Sequence, residues 1–410
     1  MTIKEQNEIT KKYHKETPDN VVGVMMGKKT VGGKVTDEDS LIFVVEEKKP
    51  IEDIPEDELL PSKIVENGVS LTTDVIQMTF SFHQQCPTDF YDWTTTPPGN
   101  RSEIRPLQGG VSTTNYTSLS DYVGTLGFIA VDNDTNSLVG VSNNHVLIND
   151  AFIASDRNPN GVKTSIMNNF TTQPNDGGVS GMDYAIGIVK KYVPISGTPE
   201  YNTVDCALTT VNQSDISNTT SYRQYGMDGW TTPLTFATTE EIDGLLSNNN
   251  SLFSSGRTTG PKGEGDMKLI PWSLSSTFGI SYQNQGSSRT VNFSESIAFV
   301  ASATTTPTGS VCYFPIAPGD SGSALVADFD GTRKIVGLVF AGGSDETGQT
   351  VFAFANRIDN VASQMNISAW DGSSVNFSDT GNTMTISVSG LDDAVSFSSG
   401  GNTYWQVGIQ

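Results

Sequence analysis

Pro318-Gly319-Asp320-Ser321-Gly322-Ser323 runs directly into Ala324-Leu325-Val326-Ala327, and after Asp330-Gly331 comes a second apolar run, Ile335 to Ala341. Two short apolar runs around a turn-forming pair read as a β-hairpin. The same grammar recurs upstream, where Gly127 to Val131 and Leu138 to Val141 flank the polar turn Asp132-Asn133-Asp134-Thr135-Asn136. From about residue 105 onward the chain is short strands separated by turn residues, with little helical periodicity. That pattern predicts a mainly β architecture, a barrel or a sandwich.

The first string also carries chemistry. A serine hydroxyl is a weak nucleophile and needs a neighbouring base and a place for developing negative charge. Glycines on both sides of Ser321 let the backbone turn so that the N–H groups of Gly319 and Ser321 converge on one oxyanion. A Gly-Asp-Ser-Gly string taken alone fits an ordinary polar turn equally well, so the base decides. The chain has three histidines, His14, His83 and His145. His14 lies in a highly charged head and His83 opens a loop-like stretch. His145 ends an apolar strand in Ser142-Asn143-Asn144-His145-Val146-Leu147, a rigid position at a strand end. The third partner must be a carboxylate that holds the imidazole in one tautomer. Met182-Asp183-Tyr184-Ala185-Ile186 and Val204-Asp205-Cys206-Ala207-Leu208 both place an acid before an apolar run. Periodicity does not separate Asp183 from Asp205.

The order His, Asp, Ser and the strings around these residues resemble the trypsin-like (chymotrypsin-clan) serine peptidases. Within that clan it resembles one branch, the microbial relatives of the plant Narrow Leaf trypsin-like peptidase. The resemblance is carried by Val21-Val22-Gly23-Val24, Gly32-Gly33-Lys34-Val35-Thr36, Thr73-Asp74-Val75, Arg105-Pro106-Leu107-Gln108-Gly109-Gly110-Val111-Ser112 and Gly124-Thr125-Leu126-Gly127. It continues through Ser142 to Leu147, Tyr192-Val193-Pro194-Ile195, Asn202-Thr203-Val204-Asp205, Gly256-Arg257-Thr258-Thr259-Gly260 and Gly319 to Ser323. It spans roughly residues 20 to 365. The resemblance implies a double β-barrel with the site between the barrels. The triad it implies is His145, Asp205 and Ser321, with Asp205 favoured over Asp183 by the Asn-x-Val-Asp string. It also implies an oxyanion hole from Gly319 and Ser321, and a primary pocket around Pro315 and Ile316, walled by Phe340-Ala341-Gly342. None of these pocket residues pairs a buried cation, so apolar or small residues are expected before the cut.

Two departures matter. Trypsin has small residues and a cysteine around its histidine, where this chain has Asn143-Asn144-His145-Val146. In trypsin a newly cut N-terminus pairs with the Asp before the nucleophile; here about a hundred residues precede the barrel, so Asp320 needs another partner or none. The expectation is activity without an N-terminal cut, the oxyanion loop being held by the strand Ala324 to Ala327.

Composition bounds the alternatives. At 410 residues the chain suits one large domain plus a smaller one. A net charge of −22 argues against nucleic acid as a partner. No apolar run approaches the length of a membrane span, and Met1 to Lys15 lacks the apolar region of a signal peptide, which predicts a cytoplasmic or otherwise unexported protein. Cys86, Cys206 and Cys312 form no CxxC pair and no disulfide framework. Scattered His and Cys, His83-x-x-Cys86 included, do not make a zinc site, and no metal or cofactor is expected.

Charge is concentrated in the first 80 residues, which hold ten lysines and sixteen acids, and the remainder of the chain is rich in Ser, Thr, Asn and Gly. The organisation read from this is a small α+β domain at 1–82, a linker at 83–104, the double-barrel peptidase domain at 105–367 and a β-rich extension at 368–410. In the extension, apolar and polar residues alternate, as in Thr383-Met384-Thr385-Ile386-Ser387-Val388. Its runs are separated by turn formers such as Gly400-Gly401-Asn402. Such strands are expected to dock on the barrel or to make a homo-oligomer or assembly contact.

The functional expectation is a serine endopeptidase acting on protein or peptide substrates through an acyl-enzyme. An esterase would use the same chemistry but more usually shows Gly-x-Ser-x-Gly in an α/β fold. The alternative from a different class is a protease-fold structural or assembly protein, for example virion-associated, motivated by the β-rich extension.

Overall fold

The computed structural model describes residues 1–31, 34–81, 99–115, 123–148, 170–174, 184–247, 250–263, 267–284, 287–303, 315–344, 350–375, 394–399 and 402–407. Asp183, His83, Cys86, Cys312, most of the expected linker and much of the expected extension lie outside these residues.

The chain opens with a helix, α1 (Ile3–Glu16), which the charged composition does not advertise. Its start is set by a capping box: the Thr2 side chain accepts from the Glu5 N–H while the Glu5 carboxylate accepts from the Thr2 N–H. Five strands come next: β1 (Val21–Val31), β2 (Lys34–Val45), β3 (Lys63–Glu66), β4 (Val69–Gln77) and β5 (Thr79–Ser81). The middle block holds β6 (Val111–Asn115), β7 (Gly124–Leu126), β8 (Phe128–Asp132), β9 (Ser137–Ser142), the short α2 (Asn144–Leu147) and β10 (Phe170–Thr172). It continues with β11 (Ala185–Tyr192), β12 (Tyr201–Asn202), β13 (Ala207–Thr210), β14 (Thr235–Phe236) and α3 (Thr239–Asp243). Then come β15 (Leu252–Gly256), β16 (Gly260–Lys262), β17 (Met267–Asn284), β18 (Ser287–Ala303), β19 (Ala324–Phe329), β20 (Thr332–Ser344) and β21 (Thr350–Arg357). The last elements are α4 (Ile358–Met365), β22 (Ile367–Ala369), β23 (Ala394–Ser399) and β24 (Asn402–Val407).

The molecule is mainly β. One sheet has eight strands in the order β22-β8-β9-β13-β11-β10-β6-β7 and stays open at its ends, a half-barrel. The other is a large mixed sheet of fourteen strands. Within it, six strands close into an antiparallel ring: β15 pairs β17, β17 pairs β18, β18 pairs β21, β21 pairs β20, β20 pairs β19 and β19 pairs β15. Closure removes unpaired edges. Both hairpins read from sequence are present, with Asp132 opposite Ser137 and Phe329 opposite Thr332. Asp330 and Gly331 adopt the positive φ that a tight turn between those strands requires, 52° and 86°.

The N-terminal strands are joined to the ring by hydrogen bonds. β1 pairs β17, with Gly23 opposite Phe278, and β5 pairs β20, with Phe80 opposite Gly343. Strand alternation explains the join. Val24, Met26, Leu41 and Phe43 face a cluster with Ile9 of α1. Met25, Ile42 and Val44 face the opposite way, into a cluster with Phe278, Phe293, Phe340 and Phe354. There the Phe80 ring stacks on Phe278 at 4.5 Å between centroids, and Phe293 lies 4.8 Å from Phe340. A further core runs through both sheets, from Val139, Val141 and Leu208 to Leu325, Val326 and Leu338, and takes in Ile358, Val361 and Met365 of α4.

At the C-terminal end, β22 pairs β8, with Ser368 opposite Val131, and Trp370 is buried with Leu107, Ile129 and Leu138. Residues 368–370 are therefore part of the half-barrel and its core, three residues past the boundary expected at 367. β23 and β24 pair with each other, Ser399 opposite Asn402, as the Gly400-Gly401-Asn402 turn predicts. Among the described residues no helix is long and apolar enough to cross a membrane.

Candidate active site

Register brings His145 and Asp205 together. In the antiparallel pair of β9 and β13, Ala207 lies opposite Ser142. Two residues before Ala207 and three after Ser142 the chains leave the sheet at the same end, and there the side chains meet. His145 Nδ1 lies 2.5 Å from Asp205 Oδ2, and the His145 main-chain N–H donates to Asp205 Oδ1 at 3.1 Å. Asp205 is fully buried and His145 is 7% exposed. The acid's own peptide groups are held as well. Its N–H donates to Asn356 Oδ1 at 2.9 Å and its carbonyl accepts from Asn143 Nδ2 at 2.8 Å. Asn144 Nδ2 donates to the Val193 carbonyl at 2.5 Å, fixing α2 against the chain after β11. The neighbouring Cys206 is not a competing nucleophile, because burial, and then the Asp205 charge, push its thiol well above the ordinary value.

The Ser321 loop docks on the same place. The Ser321 carbonyl accepts from the Thr125 N–H at 2.7 Å. A Cβ at Gly124 would lie 2.5 Å from the Val146 side chain and 2.9 Å from that carbonyl, so only glycine lets the residue after the histidine and the serine loop approach one strand together. Gly322 abuts Ser142, whose hydroxyl donates to the Thr125 carbonyl at 2.7 Å. Gly319 and Gly322 sit at φ of 95° and 93°, a region that L side chains avoid.

Within this loop the N–H groups of Asp320, Gly322 and Ser323 donate to Ala317, Val339 and Asp320 carbonyls, whereas among the described residues those of Gly319 and Ser321 have no acceptor. These two N–H groups are the pair expected to form an oxyanion hole.

Asp320 has a partner set that the sequence did not reveal. Its Oδ1 accepts from the Thr258 and Thr259 N–H groups at 2.8 and 3.0 Å, and its Oδ2 from Ala317 N–H at 2.9 Å. Lys262 is buried nearby; burial pushes its ammonium down to about 8, with the Asp320 charge opposing. The Thr258 hydroxyl donates to the Pro318 carbonyl at 2.5 Å and the Thr125 hydroxyl to Gly319 O at 2.8 Å. The loop of Gly319 to Ser323 is thus held by the 256–260 turn and Thr125, in addition to the strand β19 that follows it. The Gly256-Arg257-Thr258-Thr259-Gly260 string was the available signal, but its role depends on a contact about sixty residues away.

The expected pocket residues are all buried. Pro315 and Ile316 are buried, Ile316 in the core that spans both sheets. Phe340 and Ala341 are buried in the aromatic cluster. Gly342 is paired on both sides, with Ala353 of β21 and Ser81 of β5. His14, in turn, lies in the last turn of α1; its Nδ1 lies 3.0 Å from the Tyr201 hydroxyl, and burial lowers its pKa. Among the described residues no group of His, Cys, Asp and Glu could hold a metal ion.

The chain matches no known family model and no curated protein sequence. Among solved structures it is similar to a glutamic acid specific serine protease, at 13% identity over 64% of this chain and 100% of that one, with a TM-score of 0.36. It is similar to the Nocardiopsis protease NAPase at 16% identity, over 64% of this chain and 98% of that one, with a TM-score of 0.37. It is also similar to Cellulomonas bogoriensis chymotrypsin at 15% identity, over 65% of this chain and 98% of that one, with a TM-score of 0.35.

Proposed function

We propose that the chain is a serine endopeptidase in which Ser321 is the nucleophile, His145 the general base and Asp205 the residue that orients it. The observation that carries this reading is the buried His145–Asp205 pair beside a serine loop whose Gly319 and Ser321 N–H groups have no acceptor among the described residues. Ser321 Oγ attacks the carbonyl carbon of a peptide bond while His145 Nε2 takes its proton. The negative charge that develops on the carbonyl oxygen is met by these two N–H groups, which need no rearrangement at that moment. Collapse breaks the C–N bond, His145 returns the proton to the leaving amine, and water repeats the cycle on the acyl-enzyme.

The test is covalent labelling with an alkyl fluorophosphonate probe and mapping of the modified residue. Modification at Ser321, lost in Ser321→Ala and in His145→Ala, is expected. An intact, folded chain that takes up no label leaves the assembly-protein reading in its place.

A further inference from the structure

We infer that Asn356 is a positioning residue, one that sets the orienting acid Asp205 from the opposite sheet; the inference rests on the catalytic reading above. Asn356 lies on β21, a strand of the closed ring, and is fully buried. Asp205 lies in the segment feeding β13 of the half-barrel. The hydrogen bond between Asn356 Oδ1 and the Asp205 N–H joins positions 151 residues apart and ties the acid to the other sheet. Asn143 takes the Asp205 carbonyl from the half-barrel side. With both peptide groups of Asp205 bound by side-chain amides, both carboxylate oxygens remain for His145.

The choice of residue supports the role. Asparagine is depleted in strands, and the two residues before Asn356 on β21, Phe354 and Ala355, are fully buried apolar side chains. Among the described residues Asn356 Nδ2 has no partner. A buried unpaired amide nitrogen costs stability, so an aliphatic residue of similar volume would serve packing better. What an aliphatic residue lacks is the acceptor for Asp205. The strand end is also anchored, since Arg357 pairs with Asp243 at 2.8 Å and with Asp359 at 2.9 Å.

The test reads the reactivity of Ser321 directly, as the fluorophosphonate labelling rate of the full chain resolved into kinact and KI across pH. Among the described residues Asp205 and the Tyr282 ring of β17 face His145, the two ring centroids lying 6.3 Å apart, and burial keeps the nearby Cys206 thiol well above its ordinary value. Asn356→Leu is expected to lower kinact about tenfold, the equivalent of one buried hydrogen bond, with KI unchanged. A loosened Asp205 supports the imidazolium less, so the acid limb of the profile moves to lower pH. Asn356→Asp restores the acceptor and adds a negative charge beside Asp205; kinact recovers and the acid limb moves to higher pH. Labelling absent from the unchanged chain sinks the catalytic reading and this inference with it. An unaltered kinact in Asn356→Leu, or a fall confined to KI, sinks the inference alone. Should Asn356→Leu not fold, an acid limb that stays put in Asn356→Asp overturns it.

Discussion

Asp205 holds His145 at two points, through the ring at Nδ1 (2.5 Å) and through the main-chain N–H (3.1 Å), from a position with no exposure to solvent. In the proposed triad the Asp205 carboxylate only accepts hydrogen bonds, which requires the ring proton on Nδ1 and leaves the Nε2 lone pair for the serine. Replacing Asp205 by Asn keeps shape and burial but lets the amide donate to Nδ1, favouring the opposite tautomer. Asp205→Asn is expected to slow labelling and peptide hydrolysis by roughly 10⁴ while thermal unfolding stays cooperative. A fall of less than tenfold would remove Asp205 from the mechanism and return Asp183 to consideration.

The Asp320 cluster predicts a coupled loss of order and activity. Asp320→Ala takes the acceptor from the buried Thr258 and Ala317 N–H groups and the half-buried Thr259 N–H, and removes a negative charge that acts on Lys262. Leaving these donors unsatisfied costs on the order of 3 kcal/mol. Because Gly319 and Ser321 flank the same residue, the proposed oxyanion donors should lose their alignment and labelling should slow by about 10² or more. Urea unfolding together with the labelling rate reads both effects. A variant of unchanged stability and rate would show that β19 alone holds the loop, as the sequence led one to expect.

Lys262 gives a pH signature. Burial lowers its ammonium from 10.5 to about 8 in the folded chain, against the pull of Asp320. Between about 8 and 10.5 the unfolded chain therefore binds more protons than the folded one, and stability rises with pH across that window. Below about 8 the lysine is charged in both states and the whole burial penalty is present. Lys262→Met is expected to stabilise the chain by up to about 3 kcal/mol below about pH 8, with the gain fading towards pH 10.5. Urea midpoints at about pH 7 and about pH 10 decide it, and an equal effect at both would contradict the assignment.

The parts of this fold that rest on local pattern were legible. The Asp330-Gly331 hairpin and the Asp132 to Asn136 turn come from residues a few positions apart; His145, expected at a strand end, lies three residues past β9 in the short helix α2. β17 and β18 were not legible, because Ser273, Ser275, Ser276, Thr277, Ser294 and Ser296 are buried where alternation calls for apolar side chains. α1 carries its signal in Thr2 and Glu5, but its lysines and glutamates hide the face that packs Ile9 against Leu41 and Phe43. The choice between Asp183 and Asp205 needed the resemblance, since both open apolar runs alike. Asn356 and Lys262 could not be found locally; each gains its meaning from strand register, Asn356 opposite Leu338 and Lys262 opposite Ser254.

The C-terminal boundary gives the last prediction. The composition places the start of the extension at residue 368, which implies that a chain ending at Ile367 keeps a whole barrel. In the structure Ser368 and Ala369 pair with Val131 and Ala130, and the Trp370 ring is buried with Leu107, Ile129, Leu138 and Ile186. Trp370 Nε1 donates to the Ser373 carbonyl at 2.9 Å, and the Asp371 carboxylate accepts from the Ser373 N–H at 2.8 Å, closing a turn under the ring. Losing a buried tryptophan costs about 3–5 kcal/mol, a large share of the stability of an ordinary domain. β8, freed of its partner, would also become an exposed edge, open to pairing with a second copy. A chain ending at Ile367 is therefore expected to unfold at lower temperature and to associate. A chain ending at Val375 retains the turn and should match the full chain in melting temperature and in labelling of Ser321. Light scattering and thermal unfolding of the two truncations separate the cases: equal stability and equal mass for both would place the edge of the folded unit at 367 after all.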